Sequence, residues 1–240
     1  MDHGQVAEVP VARTIVPNVN RISAALRAAG GIVVFTQHTA DAEAIRTWSV
    51  FFEHFFVPER RARFIEAFTP GNPGHALWSE LDVAEQDMVV LKRRYSAFVP
   101  NSSDLHARLQ ERGIDTLIIS GTVSQVCCEA TARDAMMMNY KVFFITDACA
   151  TMTDAEHGGT LSAMAHTFCD VRDTQSVMGP DRGSLTSGID PFGCFWGEAD
   201  INVRAGPAAP VAFDPELTYL EVGTTSSEQD LNACTVLTLQ

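Results

Sequence analysis

The chain has 240 residues, of which 46% are hydrophobic and 20% charged, and its formal net charge is −13. This length and composition predict one large globular α/β domain, alone or with a tail. The acidic balance argues against a nucleic-acid partner, because phosphate binding needs clustered Lys and Arg. No apolar run reaches the roughly 18–20 residues that span a bilayer, and no secretory signal is recognisable. We therefore expect no membrane partner and a cytoplasmic location.

Regular alternation of strand and helix patterns organises the first three quarters of the chain. Buried apolar runs predict strands over residues 32–36, 87–91, 116–119, 141–146 and 169–172. Amphipathic or capped segments predict helices over residues 11–29, 105–112, 127–139 and 154–167. Strands that alternate with helices of 10–15 residues indicate parallel βαβ units.

An aromatic segment over residues 39–80 interrupts this alternation. It carries two tryptophans and six phenylalanines between 48 and 78, and prolines interrupt it. A connection of this length inside an α/β domain is typical of a pocket lid or an oligomer contact, and a helical core segment is the alternative.

The last quarter of the chain, residues 180–240, shows no sustained period. It has nine acidic residues, two arginines and no lysine, so it carries seven of the net negative charges (9 − 2 = 7). We predict one folded domain over residues 1–179 and an irregular acidic tail over residues 180–240, in which residues 235–239 could add an edge strand.

Thiol chemistry is the first functional signal. Six cysteines without a repeated CxxC spacing predict free thiols and no zinc site. Two of them, Cys127 and Cys128, open the helix that follows the strand 116–119. A helix start stabilises a thiolate, although buried cysteines that only fill the core are the alternative. Adjacent helical residues point about 100° apart, so at most one of the two faces a crevice.

A lysine gives the second signal. Lys92 directly follows the strand 87–91, and parallel strands bring their carboxyl ends to one sheet edge, where the cysteine turn also emerges. A solvated lysine at a strand end is the alternative. Its neighbours Arg93 and Arg94 are predicted to be surface charges.

The sequence segments around Lys92 and Cys127 together resemble those of a known family. Residues 91–98 (LKRRYSAF) and 121–135 (GTVSQVCCEATARDA) are similar to the isochorismatase-like cysteine hydrolases, which include nicotinamidases, N-carbamoylsarcosine amidases and ureidoacrylate amidohydrolases. The resemblance covers roughly residues 11–177. It implies a three-layer, Rossmann-like α/β/α sandwich with a mostly parallel sheet.

The resemblance also implies a mechanism. The family's nucleophile falls on Cys127 and its lysine on Lys92, and a cis peptide bond falls between Thr122 and Val123. Cys127 would attack an amide or ureido carbonyl, and the N–H groups of Val123 and Cys127 would stabilise the oxyanion before water hydrolyses the thioester.

One member of the family's triad is missing from this sequence. The family places an aspartate at the end of a strand before the first helix, and no such pattern precedes Val11; Asp2 does not match it. In the family that strand is central, so we expect a gap between the strands at 32–36 and 116–120. We favour a chain that naturally begins upstream, because the tail offers no apolar run followed by Asp; a substitute strand from the tail is the alternative.

The family's metal-binding motif is also missing. His38 with Asp41 does not reproduce the nicotinamidase pattern, so we predict no metal and no cofactor. The blocks look closest to those of the ureido and carbamoyl amidases, in which case His38, Tyr95 and Trp48 would shape the substrate pocket.

The sequence therefore predicts a homo-oligomeric cysteine amidohydrolase with a small amide or ureido substrate. The competing hypothesis is a catalytically impaired member that binds a small molecule or a partner chain. Vinyl-ether hydrolysis is disfavoured, because the isochorismatases that catalyse it do not need the cysteine.

Overall fold

β-Branched and aromatic runs form the strands, as their fit to a buried pleated surface predicts. The computed structural model describes residues 9–178 and 233–239 of the chain. Its strands are β1 Ile32–His38, β2 Met88–Lys92, β3 Thr116–Thr122, β4 Lys141–Ala150, β5 Asp170–Arg172 and β6 Ala233–Leu239. They form one sheet in the order β2-β1-β6-β3-β4-β5. All neighbouring pairs are parallel except the two that β6 makes.

The helices form a layer on each face of the sheet. They are α1 Val16–Ala28, α2 Ala42–Thr47, α3 Pro58–Ala67, α4 Leu105–Gln110, α5 Glu129–Met137, α6 Asp154–Thr167 and α7 Thr174–Met178. Along β1, Val33 and Phe35 pack into the cluster that contains α1 and α7, whereas Val34 packs into the cluster that contains α4, α5 and α6. This alternation is that of a strand buried on both faces. The predicted three-layer α/β/α sandwich is confirmed.

The predicted strands run slightly further than their patterns indicate. His38 and Lys92 are the last residues of β1 and β2 and pair in register, rather than following the strands. The peptide N–H of Thr39 also donates to the carbonyl of Lys92 at 2.8 Å. Both side chains therefore sit on rigid backbone at the carboxyl edge of the sheet.

The aromatic segment is helical. It contains α2, a π-helix over Val50–Phe55, α3 and a short 3-10 turn over Pro73–His75. Its aromatic rings bury one another in a cluster separate from the two main cores, except for Trp78, which packs against the core that contains α1. The helical alternative is thus what the structure shows, and the roles of pocket lid and oligomer contact stay predictions.

The expected gap beside β1 is absent, and this corrects the sequence interpretation. β6 lies between β1 and β3 and pairs with both; Val236, for example, is opposite Val34 on one side and Ile119 on the other. It is a central antiparallel strand and not an edge strand. Two facing strand edges with unpaired backbone groups make this insertion favourable. A strand from the tail thus occupies the expected gap, and the upstream start of the chain stays a prediction. Residues 179–232 of the predicted irregular tail lie outside the described residues.

No helix among the residues that the structure describes is both long and apolar enough to cross a membrane.

Replacement of Val236 by proline tests the position of β6. In a central strand proline removes a ladder hydrogen bond, so we expect Val236→Pro to lower the free energy of unfolding by about 3 kcal/mol or more. Urea denaturation followed by circular dichroism measures this change.

Val236→Ile, which keeps the backbone donor, is the matched control and should remain within about 1 kcal/mol of the unmodified chain. A proline variant as stable as the isoleucine variant would contradict a central β6.

Candidate active site

A fully buried lysine marks the carboxyl edge of the sheet. Lys92, the last residue of β2, has an exposed fraction of 0%. Its ammonium donates to the backbone carbonyls of Arg94 at 3.2 Å and Tyr95 at 3.1 Å. Among the described residues, none of the ion pairs includes Lys92. A buried ammonium needs both acceptors and a counter-charge, so its third contact is informative.

That third contact is a thiol. The Nζ atom of Lys92 lies 3.2 Å from the Sγ atom of Cys127. Cys127 is half-buried, whereas the adjacent Cys128 is fully buried in the core beneath α5. The structure thus brings together the two residues that the sequence analysis paired, and it separates the two neighbouring cysteines as helical geometry requires.

The turn that carries Cys127 joins β3 to α5. It begins at the peptide bond between Thr122 and Val123, which is cis, at the position that the family resemblance implies. A π-type turn over Ser124–Cys128 then leads directly into α5. Such turns occur frequently at functional sites, and this one places the thiol at the positive end of a helix.

Aromatic rings surround the site on the side of β1 and β2. The His38 ring lies 5.0 Å from Phe68 and 5.7 Å from Phe64, and it lies 6.4 Å from both Trp48 and Tyr95. The rings of Trp48 and Tyr95 are 5.0 Å apart. The structure therefore brings together the three residues predicted to shape a substrate pocket.

His38 is buried, and neither of its ring nitrogens makes a well-formed hydrogen bond to another described group. Burial, followed by the nearby charge of Lys92, holds its pKa well below the ordinary value, although the Arg94 backbone acts in the opposite direction. The ring is therefore neutral at physiological pH and offers one donor and one acceptor. A buried polar group without partners is costly, and such exceptions are informative about function.

Arg93 and Arg94 are not the surface charges that the sequence predicts. Arg93 donates through Nε and Nη2 to the carboxylate of Asp41, at 2.9 and 2.7 Å. The Arg94 guanidinium lies 5.0 Å from the ring centre of Trp48 and donates to the carbonyl of Thr47 at 2.8 Å. Together they attach the aromatic segment to the end of β2. These contacts were not predicted, because no local sequence pattern links positions about fifty residues apart.

Two further contacts were also missed. The hydroxyl of Ser124, in the cysteine turn, lies 2.9 Å from Nδ1 of His157 on α6. Thr39, just beyond β1, has its hydroxyl 3.0 Å from Nε2 of His75, whose pKa is lowered by burial. Within the described part of the chain, no group of three or more His, Cys, Asp or Glu side chains is close enough together to hold a metal ion.

Comparisons with known proteins match most of the chain to one family profile. The sequence profile of the isochorismatase domain matches residues 3–176. A probable inactive nicotinamidase from Arabidopsis thaliana is 31% identical over 166 residues, which cover 68% of this chain and 81% of that protein. The ureidoacrylate amidohydrolase RutB of Variovorax paradoxus (strain S110) is 30% identical over 151 residues, which cover 59% of this chain and 58% of RutB.

A solved structure shares the fold. The isochorismatase family protein from Desulfovibrio vulgaris is 27% identical, with a TM-score of 0.59 over 69% of this chain and 83% of that one. Two other curated relatives match over 42% and 47% of their own lengths. The chain thus spans about half the length of several relatives that it matches.

Asp41 provides a test of how the aromatic segment is attached. Its carboxylate accepts from the N–H of Ala44 as the N-cap of α2 and pairs with Arg93, which lowers its pKa. Asp41→Asn keeps a good cap but removes the ion pair, so we expect it to cost about 1 kcal/mol of unfolding free energy at pH 7.

The cost should depend on pH with a defined sign. Because the native pKa is lowered, the stabilisation is complete above the ordinary value of about 4 and is lost as the pH falls through the native value. Urea denaturation between pH 7 and pH 3 should show the difference between Asp41→Asn and the unmodified chain shrinking below about pH 4. A difference that persists unchanged at pH 3 would contradict the ion pair, and Asp41→Ala, which also loses the cap, should be the less stable variant throughout.

Proposed function

Because the chain belongs to the isochorismatase family, we propose that it is a cysteine-dependent hydrolase that cleaves a C–N bond in a small amide, carbamoyl or ureido compound. The relatives named as ureidoacrylate amidohydrolase and nicotinamidase support this class of substrate. Each of these relatives is matched over only part of its length, so the support for the activity comes from the site.

The contact between Lys92 and Cys127 carries the proposal. The Nζ atom of the fully buried Lys92 lies 3.2 Å from the Cys127 sulfur, and no described carboxylate forms an ion pair with this lysine. A cation in contact with a cysteine is an arrangement typical of cysteine nucleophiles. Lys92 is fully buried and Cys127 is partly exposed, so the thiol can be reached by a substrate while the lysine supports it from within the protein. A cysteine that only fills the core would need no such cation.

The proposed reaction proceeds through a thioester. The Cys127 thiolate attacks the carbonyl carbon, and the N–H groups of Val123 and Cys127 bind the resulting oxyanion. The C–N bond then breaks, and the leaving nitrogen takes a proton from the Lys92 ammonium. Water adds to the thioester, the C–S bond breaks, and the thiolate and the ammonium are restored.

The substrate pocket is proposed to lie beside His38, Trp48 and Tyr95. The neutral His38 ring has a donor and an acceptor without well-formed partners, which matches an amide or ureido group that carries both N–H and C=O. The surrounding rings supply the apolar walls that are usual for small-molecule sites.

A second candidate function is binding without catalysis. It is favoured by the absence of a described carboxylate paired with Lys92, and by the relative named as a probable inactive nicotinamidase. Such a protein would retain the pocket but not the reactive thiol. A cytoplasmic location and a homo-oligomeric assembly stay predictions.

Thiol labelling separates the two functions. We expect iodoacetamide at pH 7.5 to alkylate Cys127 at least about tenfold faster than Cys128, Cys149 or Cys169, because these three are buried and burial also raises the pKa of Cys169 to about 12. Lys92→Met should slow alkylation of Cys127 by about ten- to a hundredfold, since it removes a charge-assisted contact. Peptide mass spectrometry measures each rate.

Hydrolysis of a panel of small amides and ureido acids provides the second readout. Cys127→Ser should lose at least about a thousandfold in rate, whereas Cys128→Ser should retain activity. Lys141→Met, at a lysine paired with Asp115 on the surface, controls for the loss of one positive charge. Equal reactivity of the four thiols, with hydrolysis unaffected in Cys127→Ser, would overturn the proposed function in favour of binding alone.

A further inference from the structure

A chain of hydrogen bonds runs away from the cysteine turn on the side opposite Lys92. The hydroxyl of Ser124 lies 2.9 Å from Nδ1 of His157 on α6, and Nε2 of the same ring lies 3.0 Å from the carbonyl oxygen of Thr146 in β4. Ser124 has an exposed fraction of 0%. Its hydroxyl is therefore removed from solvent and depends on protein partners.

The chemistry of the groups assigns donors and acceptors to the hydrogen bonds that link Ser124, His157 and Thr146. A carbonyl oxygen only accepts, so Nε2 of His157 must carry the hydrogen that Thr146 receives. In the tautomer whose single ring hydrogen is on Nε2, Nδ1 is an acceptor and the Ser124 hydroxyl donates to it. Ser124 donates to His157, which donates to Thr146.

A serine that donates to a histidine resembles an activated nucleophile, but this one is not placed to react. Ser124 is completely buried, whereas Cys127, three residues later, is half-exposed and touches Lys92. The chain of hydrogen bonds therefore holds the turn and does not itself offer a nucleophile to a substrate.

Ser124 begins the segment whose position determines where Cys127 lies. The carbonyl of Ser124 accepts from the N–H of Glu129. The carbonyl of Val123 accepts from the N–H groups of Val126 and Cys128, at 3.0 and 3.3 Å. These bonds bracket Cys127, so a shift of Ser124 moves the thiol with it.

The sheet order shows why a second attachment is needed. Lys92 is on β2, and the cysteine turn follows β3, three strands away across β1 and β6. Lys92 holds the turn from the β2 side through the thiol. His157 holds it from the β4 side through Ser124.

We infer that His157 is a positioning residue, which acts through Ser124 to fix the cysteine turn where Lys92 reaches the Cys127 thiol. This inference rests on the proposed function, in which that contact makes the thiol reactive. The side-chain hydrogen bonds described for His157 and Ser124 go to each other and to the Thr146 carbonyl, and not to the thiol or to the proposed pocket residues. They act by setting the position of the Cys127 thiol relative to Lys92.

Matched substitutions at both positions test the inference. Ser124→Thr keeps the hydroxyl and Ser124→Ala removes it. His157→Asn keeps an acceptor near the place of Nδ1, whereas His157→Gln keeps only a donor near the place of Nε2. In the full-length chain, we expect Ser124→Ala and His157→Gln to slow alkylation of Cys127 by iodoacetamide at least about tenfold, and the other two to stay within about threefold of the unmodified chain.

Thermal unfolding of the same four variants separates positioning from general stability. The inference is supported if the alkylation rate of Cys127 is higher in Ser124→Thr than in Ser124→Ala at equal melting temperature. The same holds for a higher rate in His157→Asn than in His157→Gln. Rates at Cys127 within twofold of the unmodified chain in all four variants, or rates that follow melting temperature alone, would overturn it and leave the proposed function standing. An unmodified chain whose Cys127 is no more reactive than Cys149 would overturn both.

Discussion

The pairing of two facing strand edges is the constraint on which the site depends. β1 and β3 run parallel and do not touch, and β6 bonds to both. Adjacent strands lie about 4.8 Å apart, so β2 and β3 are separated by about 14 Å. A direct β1–β3 contact would shorten that separation by one strand width. The width of the slot that β6 fills therefore sets the distance that Lys92 and the cysteine turn must span.

Such a span explains the composition of the site. A long lysine side chain crosses from β2, and its buried ammonium is held by two carbonyls of the loop that follows. The same loop is fixed by Arg93 on Asp41 and by Arg94 over Trp48. Packing of the aromatic segment thus helps hold the cation in place, which connects a satellite hydrophobic cluster to the chemistry at the sheet edge.

Local sequence patterns predicted the features that depend on neighbouring residues. The runs of β1 and β3 are continuous and apolar, and the Cys127 turn lies at a strand-to-helix junction, so both could be read from neighbouring residues. The contact with Lys92 came from two sequence blocks that resemble a family. β6 was missed as a central strand because its pairing partners are some 120 and 200 residues away in sequence. The Ser124–His157 bond was missed for the same reason, since a histidine on a helix has no local pattern that names its partner.

The direction of β6 has a chemical consequence. A parallel strand in this slot would end at the carboxyl edge, and the expected aspartate would lie there. β6 is antiparallel and begins at that edge, where Cys234 pairs with Thr36 and Gly121. The strand itself, Ala233–Leu239, contains no carboxylate. This strand supplies no acid, and none of the ion pairs among the described residues includes Lys92; the Cys127 sulfur lies 3.2 Å from its Nζ atom. The same strand that completes the sheet therefore leaves the contact between Lys92 and Cys127 without an acidic third member from β6.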